Sequence, residues 1–183
     1  MATTLEQIAQ FLSEEGLQHR VDRERNAVFV GFRTVQYRDE SGEPSLLVVI
    51  KLLEDGEYIE IFSPMCYCYK DGPHKEVVFQ ACLMVSYATK HLQFEYDPGD
   101  GEIRAVIEFP LEDAPLTKRQ LLRCVHGLVQ IVDKYDPMIR GAMTNGEIKQ
   151  PPSESAEELL RLFREFLEER RRAASSRNLD LEE

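Results

Sequence analysis

The stretch Leu46-Leu47-Val48-Val49-Ile50-Lys51-Leu52-Leu53, Glu54-Asp55-Gly56-Glu57, Tyr58-Ile59-Glu60-Ile61-Phe62 decides the fold of this chain. Two apolar, β-rich runs flank an Asp-Gly pair, the strongest short-range signal for a β-hairpin. With Asp55-Gly56 as a two-residue turn, Leu53 faces Tyr58, Leu52 faces Ile59, Lys51 faces Glu60 and Ile50 faces Ile61. Successive side chains alternate between the two faces of a strand. One face then carries Leu46, Val48, Ile50, Leu52, Ile59 and Ile61 and is the expected core. The other carries Leu47, Val49, Leu53, Tyr58 and Phe62, with Lys51 and Glu60 placed to pair across the strands. That second face is too apolar for plain exposure. It is expected to meet a helix, a second subunit or a client.

Composition narrows the surroundings of this hairpin. The chain has 183 residues, 43% of them hydrophobic, enough for one domain with an appendage. A formal net charge of −11 argues against nucleic acid, whose phosphates need a basic surface, and against an anionic membrane. No stretch approaches the roughly 20 apolar residues of a membrane span. The first residues, Met1-Ala2-Thr3-Thr4-Leu5-Glu6, lack the basic region and long apolar core of a signal peptide. Cys66, Cys68, Cys82 and Cys124 show no framework spacing and read as reduced thiols of a cytoplasmic protein.

Ahead of the hairpin, Leu5, Ile8, Ala9 and Leu12 recur at helical spacing, so Thr3 to Glu15 reads as an amphipathic helix. Thr3 with Glu6 fits a capping box and Gly16 fits the stop. Leu17 to Asp22 reads as a short strand. Ala27 to Tyr37 reads as a longer one, with Val28, Val30 and Phe32 on one side and Phe29, Val35 and Tyr37 on the other. A polar loop, Asp39 to Pro44, leads into the hairpin and makes an antiparallel meander, and Pro64 is expected to end it.

Asp71-Gly72-Pro73 opens a helix from about His74 to Lys90, with Pro favoured at the first helical position. Val77, Ala81, Met84, Val85 and Ala88 make one stripe, and Val78, Phe79, Cys82 and Leu83 widen it. A helix apolar on most sides is expected to be buried on most sides, within the monomer or against a second subunit. Leu92 to Asp97 and Glu102 to Phe109 alternate cleanly, and Ile103, Ala105, Ile107 and Phe109 should face the core. Thr117 with Gln120 caps a third helix whose seam is Leu121, Val125, Leu128, Val132 and Tyr135. Asp136-Pro137 is expected to end or kink it.

The α+β domain is thus expected over 1–142 and a linker with Asn145-Gly146 and Pro151-Pro152 over 143–154. An amphipathic helix follows over 155–174, capped by Ser155 with Glu158 and striped by Leu159, Leu160, Leu162, Phe163, Phe166 and Leu167. A disordered tail is expected over 175–183. Counting the meander as three strands, the order is helix, three strands, helix, two strands, helix. It makes an antiparallel sheet with a C-terminal helix added.

Motifs that carry chemistry are scarce. There is no Gly-rich phosphate loop, no His-Glu-x-x-His and no nucleophile elbow. Cys66-x-Cys68 lacks two further ligands at workable spacing for a metal. Asp97, Asp100 and Glu102 are accounted for by turn chemistry. No catalytic residue, metal ligand or cofactor is expected.

In that element order, the segments "LEQIAQFLSEEGL" and "VVFQACLMVSYATKHLQFEYDPGDGEIRAVIEFPLEDAPLTKRQLLRCVHGLV" resemble the YbjN-like family, which has the fold of type III secretion chaperones. The resemblance covers about residues 3 to 140. It implies a small acidic α+β protein, often dimeric, that binds other proteins without catalysis. It also implies that the middle helix, matched here by Val77 to Ala88, builds a dimer. The expectation is therefore a non-catalytic protein-binding module: a chaperone, adaptor or regulator. Its partner surface would comprise Leu47, Val49, Leu53, Tyr58 and Phe62 of the sheet with Val78, Phe79, Cys82 and Leu83 of the middle helix. The alternative is a small-ligand binder or enzyme with a pocket between sheet and helices.

Overall fold

The computed structural model describes residues 2–112 and 114–151. Contacts divide the chain into a unit over Met1–Lys149 and a second over Gln150–Glu183. The expected C-terminal helix over 155–174 and the tail over 175–183 lie outside the described residues.

The elements are α1 (Leu5–Glu14), β1 (His19–Asp22), β2 (Ala27–Arg33), β3 (Ser45–Leu53), β4 (Tyr58–Cys68), α2 (Lys75–Ala88), β5 (Gln93–Tyr96), β6 (Glu102–Pro110) and α3 (Lys118–Asn145). The strands form one six-stranded sheet in the order β1-β2-β3-β4-β6-β5, antiparallel at every pairing. The short β1 is a full member, so four strands rather than three lie between α1 and α2.

The hairpin register is the one the alternation requires: Leu53 faces Tyr58, Leu52 faces Ile59, Lys51 faces Glu60 and Ile50 faces Ile61. Asp55 at φ 53°, ψ 27° and Gly56 at φ 92° occupy the centre of a turn that the Glu57 N–H closes onto the Glu54 carbonyl at 3.0 Å. With Glu54 at φ 50°, three successive positive φ angles run into the turn, and the positive φ at its two central positions matches the right-handed twist of the flanking strands. Gly56 is required for a second reason. A Cβ there would stand 2.2 Å from the Thr3 carbonyl oxygen. The Thr3 N–H donates to the Gly56 carbonyl at 3.1 Å, and the buried Thr3 Oγ1 accepts the Leu116 N–H at 3.1 Å. Residues 3, 56 and 116 are thereby tied at one point.

This use of Thr3 moves the helix cap. Thr4, not Thr3, caps α1, its side chain accepting the Gln7 N–H at 3.2 Å. The Thr117–Gln120 capping box of α3 is formed as expected. α2 begins at Lys75, after a non-helical His74, so Pro73 precedes the helix rather than opening it. β4 runs on through Pro64, which does not end it. The pairing with β6 shifts between Ser63 and Tyr67, and Met65 there has φ 47°. A bulge is where a strand tolerates a residue without an N–H. β2 stops earlier than expected, at Arg33, so Val35 and Tyr37 leave the sheet.

Pro137 lies inside a continuous α3 that extends to Asn145, closed by Gly146 at φ 65°. Asp136-Pro137 does not end the helix, and the boundary placed at 142 falls inside it. Pro costs a helix one hydrogen bond and a steric clash. Here Val132, Asp136, Met138, Ile139 and Ala142 are buried on both sides of it, and that packing outweighs the loss.

The inner face of the sheet packs with all three helices into one core. It holds the six hairpin residues assigned to it, joined by Ile8 and Leu12 of α1, Val78 and Val85 of α2, and Leu121 and Leu128 of α3. All three described helices therefore serve one face.

Candidate functional site

The opposite face of the sheet carries a row that crosses every strand. Reading the pairings in turn, Arg20 of β1 faces Phe29 of β2, Phe29 faces Val49, Val49 faces Phe62, Phe62 faces Val106, and Val106 faces Gln93 of β5. At roughly 4.8 Å per strand the row is about 24 Å long. Four consecutive apolar residues are bounded by a polar residue at each end. None of these four belongs to the core formed with the helices.

The row is partly sheltered by its own neighbours. The Arg20 guanidinium lies over the Phe29 ring at 4.8 Å and that of Arg104 over Phe62 at 5.3 Å. Long basic side chains cover apolar surface with their stems while the charge stays wet. Val49, between the two aromatic rings, is only 5% exposed. Leu47, one step along β3 and opposite Gly31, is 43% exposed. Leu53 and Tyr58 face each other at the hairpin end, both half-buried.

The ion pair expected between Lys51 and Glu60 is replaced. Glu60 sits directly opposite Lys51 but also opposite Glu108. It pairs with Arg104 at 3.4 Å, and Arg104 also holds Glu95 at 2.6 Å. Burial alone would lower the Arg104 pKa, but the bond to Glu95 and the surrounding carboxylates raise it above its ordinary value. One guanidinium thus fixes two carboxylates and roofs an aromatic ring.

α2 contributes a second surface. Val78 and Cys82 of the expected partner set lie in the core, because they sit on the side of the helix that packs on the sheet and α3. A folded monomer does not offer them to a partner. Phe79 and Leu83 lie on the other side, and Tyr87 extends them at the same i, i+4 spacing. Leu83 is 70% and Tyr87 94% exposed, so α2 is buried on one side rather than on most. Phe79 packs on Tyr96 of β5 with ring centroids 4.7 Å apart. The sequence reading missed Tyr87, which its helical spacing from Leu83 could have shown. It missed Val106 because Arg104 and Glu108 on either side made the face look polar.

The residues with chemical potential are dispersed. Cys66 is buried and its thiol is pushed far up by burial, while Cys68 is exposed two residues on. Cys82 is pushed up by burial to about 12. His74 lies beside Gly146, and His91 and His126 line a groove along α3. Among the described residues no three His, Cys, Asp or Glu side chains are grouped to hold a metal ion. Asp97, Asp100 and Glu102 each accept a backbone N–H, from Gly99, Glu102 and Met65 at 2.6, 2.9 and 2.7 Å. The buried polar cluster is one of support. The Asp136 carboxylate holds Arg140 at 2.9 Å and accepts the Tyr67 hydroxyl at 3.3 Å, while Tyr37 donates to the Cys66 carbonyl at 3.0 Å.

The site therefore defines a class: among the described residues, an α+β protein with three helices on one face of an antiparallel sheet, an apolar row across the other face, and no assembled reaction centre. No protein-family profile and no curated protein matches the chain. Solved structures similar to it include the following two. One is YbjN from E. coli, with TM-score 0.47 and 11% identity over 73% of this chain and 91% of that one. The other is a chain of the HopA1-SchA chaperone-effector complex, with TM-score 0.46 and 15% identity over 67% of this chain and 84% of that one. No helix among the described residues is long and apolar enough to cross a membrane.

Proposed function

We propose that this chain is a non-catalytic protein-binding module, chaperone-like, adaptor or regulatory, acting in the cytoplasm as a homodimer. The observation that carries the reading is the row Phe29, Val49, Phe62 and Val106, flanked by Leu47, Leu53 and Tyr58, on the sheet face that no described helix covers. Val49 and Val106 are buried within the row, so a partner would meet the half-buried Phe29 and Phe62 with the exposed Leu47; contiguous apolar surface marks interaction sites. An extended client laid across the row would bury Leu47 and Tyr58. The stripe Phe79, Leu83 and Tyr87 of α2 is the dimer surface, since Leu83 and Tyr87 are largely exposed. The four free cysteines suit a reducing compartment.

The two surfaces are tested separately. In sedimentation, the wild type should run as a dimer and the Leu83→Asp, Tyr87→Ser double variant as a monomer with an unchanged circular dichroism spectrum. A monomeric wild type would remove the dimer. A photo-crosslinking residue at Leu47 should capture protein partners in cells, and one at the exposed Glu24 should not. Equal yields at the two positions would remove the client surface.

A further inference from the structure

Among the described residues, the helical layer has a gap. α2 has 14 residues and α3 has 28. At 1.5 Å per residue these are about 21 and 42 Å long. His74 lies against Gly146, and the Tyr69 hydroxyl donates to the Met143 carbonyl at 3.2 Å. α2 therefore starts at the C-terminal end of α3 and runs back antiparallel to it, ending about halfway. β5 is short as well and pairs with β6 only from Ile103 to Val106. Beyond both ends, the first half of α3 borders a groove of about 1320 Å³. Ile107 and Phe109 form its floor, α3 from Lys118 to Ile131 its wall, and Lys90 with His91 its end.

Size and charge identify the occupant. The volume exceeds the roughly 300–1,000 Å³ of small-ligand clefts. The α3 wall spans about 20 Å, the length of a helix of about 13 residues. Among the described residues, the lining holds Lys90, Lys118, Arg119 and Arg123 and no Asp or Glu, in a chain of net charge −11. Lys118 is engaged by Glu14 and Glu15 of α1, both at 3.4 Å. Lys90, Arg119 and Arg123 make no salt bridge among the described residues. Gly127 lies mid-helix on this wall, where glycine is unfavourable. A Cβ there would meet nothing within 4 Å, so the position is open to close approach by another backbone.

We propose that this groove receives an acidic amphipathic helix of a partner protein, laid against α3 as an extension of the α2 layer. Its apolar side chains rest on Ile107, Phe109 and Ile131, and its carboxylates meet Lys90, Arg119 and Arg123. This is helix-in-groove recognition with charge deciding the partner. The surface is separate from the sheet row and the α2 stripe, so the inference does not rest on the reading above.

The test is selection of a displayed library of 14-residue helical peptides, varied in charge and apolar spacing, on the full chain. The selected peptides should be acidic, with apolar residues at i, i+4 and i+7. Arg119→Glu with Arg123→Glu should weaken them at least tenfold. Gly127→Leu should do the same while leaving the melting temperature equal or higher. No enrichment, enrichment of basic peptides, or binding indifferent to these variants would overturn the proposal. So would a groove-dependent preference for a single-stranded RNA oligomer over every peptide. Leu47→Asp should leave peptide binding intact, which separates this outcome from failure of the sheet surface.

Discussion

Asp133 shows how far one side chain reaches in this fold. Its carboxylate accepts the N–H groups of Val35, Gln36 and Tyr37 at 3.0, 2.7 and 2.8 Å, fixing on α3 the segment where β2 leaves the sheet. Burial pushes its pKa up, but the three amides outweigh burial and hold it below the usual carboxylate range. A depressed folded-state pKa adds stability that is present above the unfolded value and is lost as pH falls through the folded one. Asp133→Ala should therefore cost about 0.5–1.5 kcal/mol near neutral pH, the net worth of ordinary hydrogen bonds, since the Val35 and Gln36 donors are exposed and water can replace the carboxylate there. The gap to the wild type should narrow in acid, as read by urea unfolding across pH. Asp136, one turn on, has the opposite sign. Burial raises its pKa against the pull of Arg140, so its contribution declines as pH rises. None of this was legible in the sequence, since Asp133 is 96 residues from Tyr37 and no local pattern joins them.

At the scale of elements, what the sequence showed well was alternation and what it showed badly was punctuation. The hairpin register follows from side-chain period alone, because a one-residue slip would turn Ile50 and Ile61 outward. From sequence alone, Pro64 reads as a stop and Asp136-Pro137 as an end or a kink, because each proline removes a donor and restricts its neighbours. Both lie inside their elements, one in a bulge and one in a helix whose buried side is continuous. Tertiary packing decided both, and packing has no local signature. Pro137→Ala should restore an N–H aimed at the Asp133 carbonyl four residues back. It should stabilise the protein by about 1–2 kcal/mol after the added flexibility of the unfolded chain is subtracted, seen as a higher melting temperature.

For the whole molecule, the two sheet faces differ in kind. Ile50 is fully buried among the helices, and Ile50→Ala should cost ~2–5 kcal/mol. Leu47→Ala, on the open face, should stay within about 0.5 kcal/mol by the same denaturant titration. Equal costs would mean that something packs as tightly behind the sheet as in front of it. The apolar excess of the outer face could be read from the sequence, but not its shelter by Arg20 and Arg104, which depends on strand order. The junction of Thr3, Gly56 and Leu116 also has a bearing on how this protein is made. As the chain leaves the ribosome, Thr3 and the hairpin tip emerge early, yet the amide that completes their union is synthesised sixty residues after the tip. The nascent meander must wait with its first helix unlatched, and that interval is when a cellular holdase would find it.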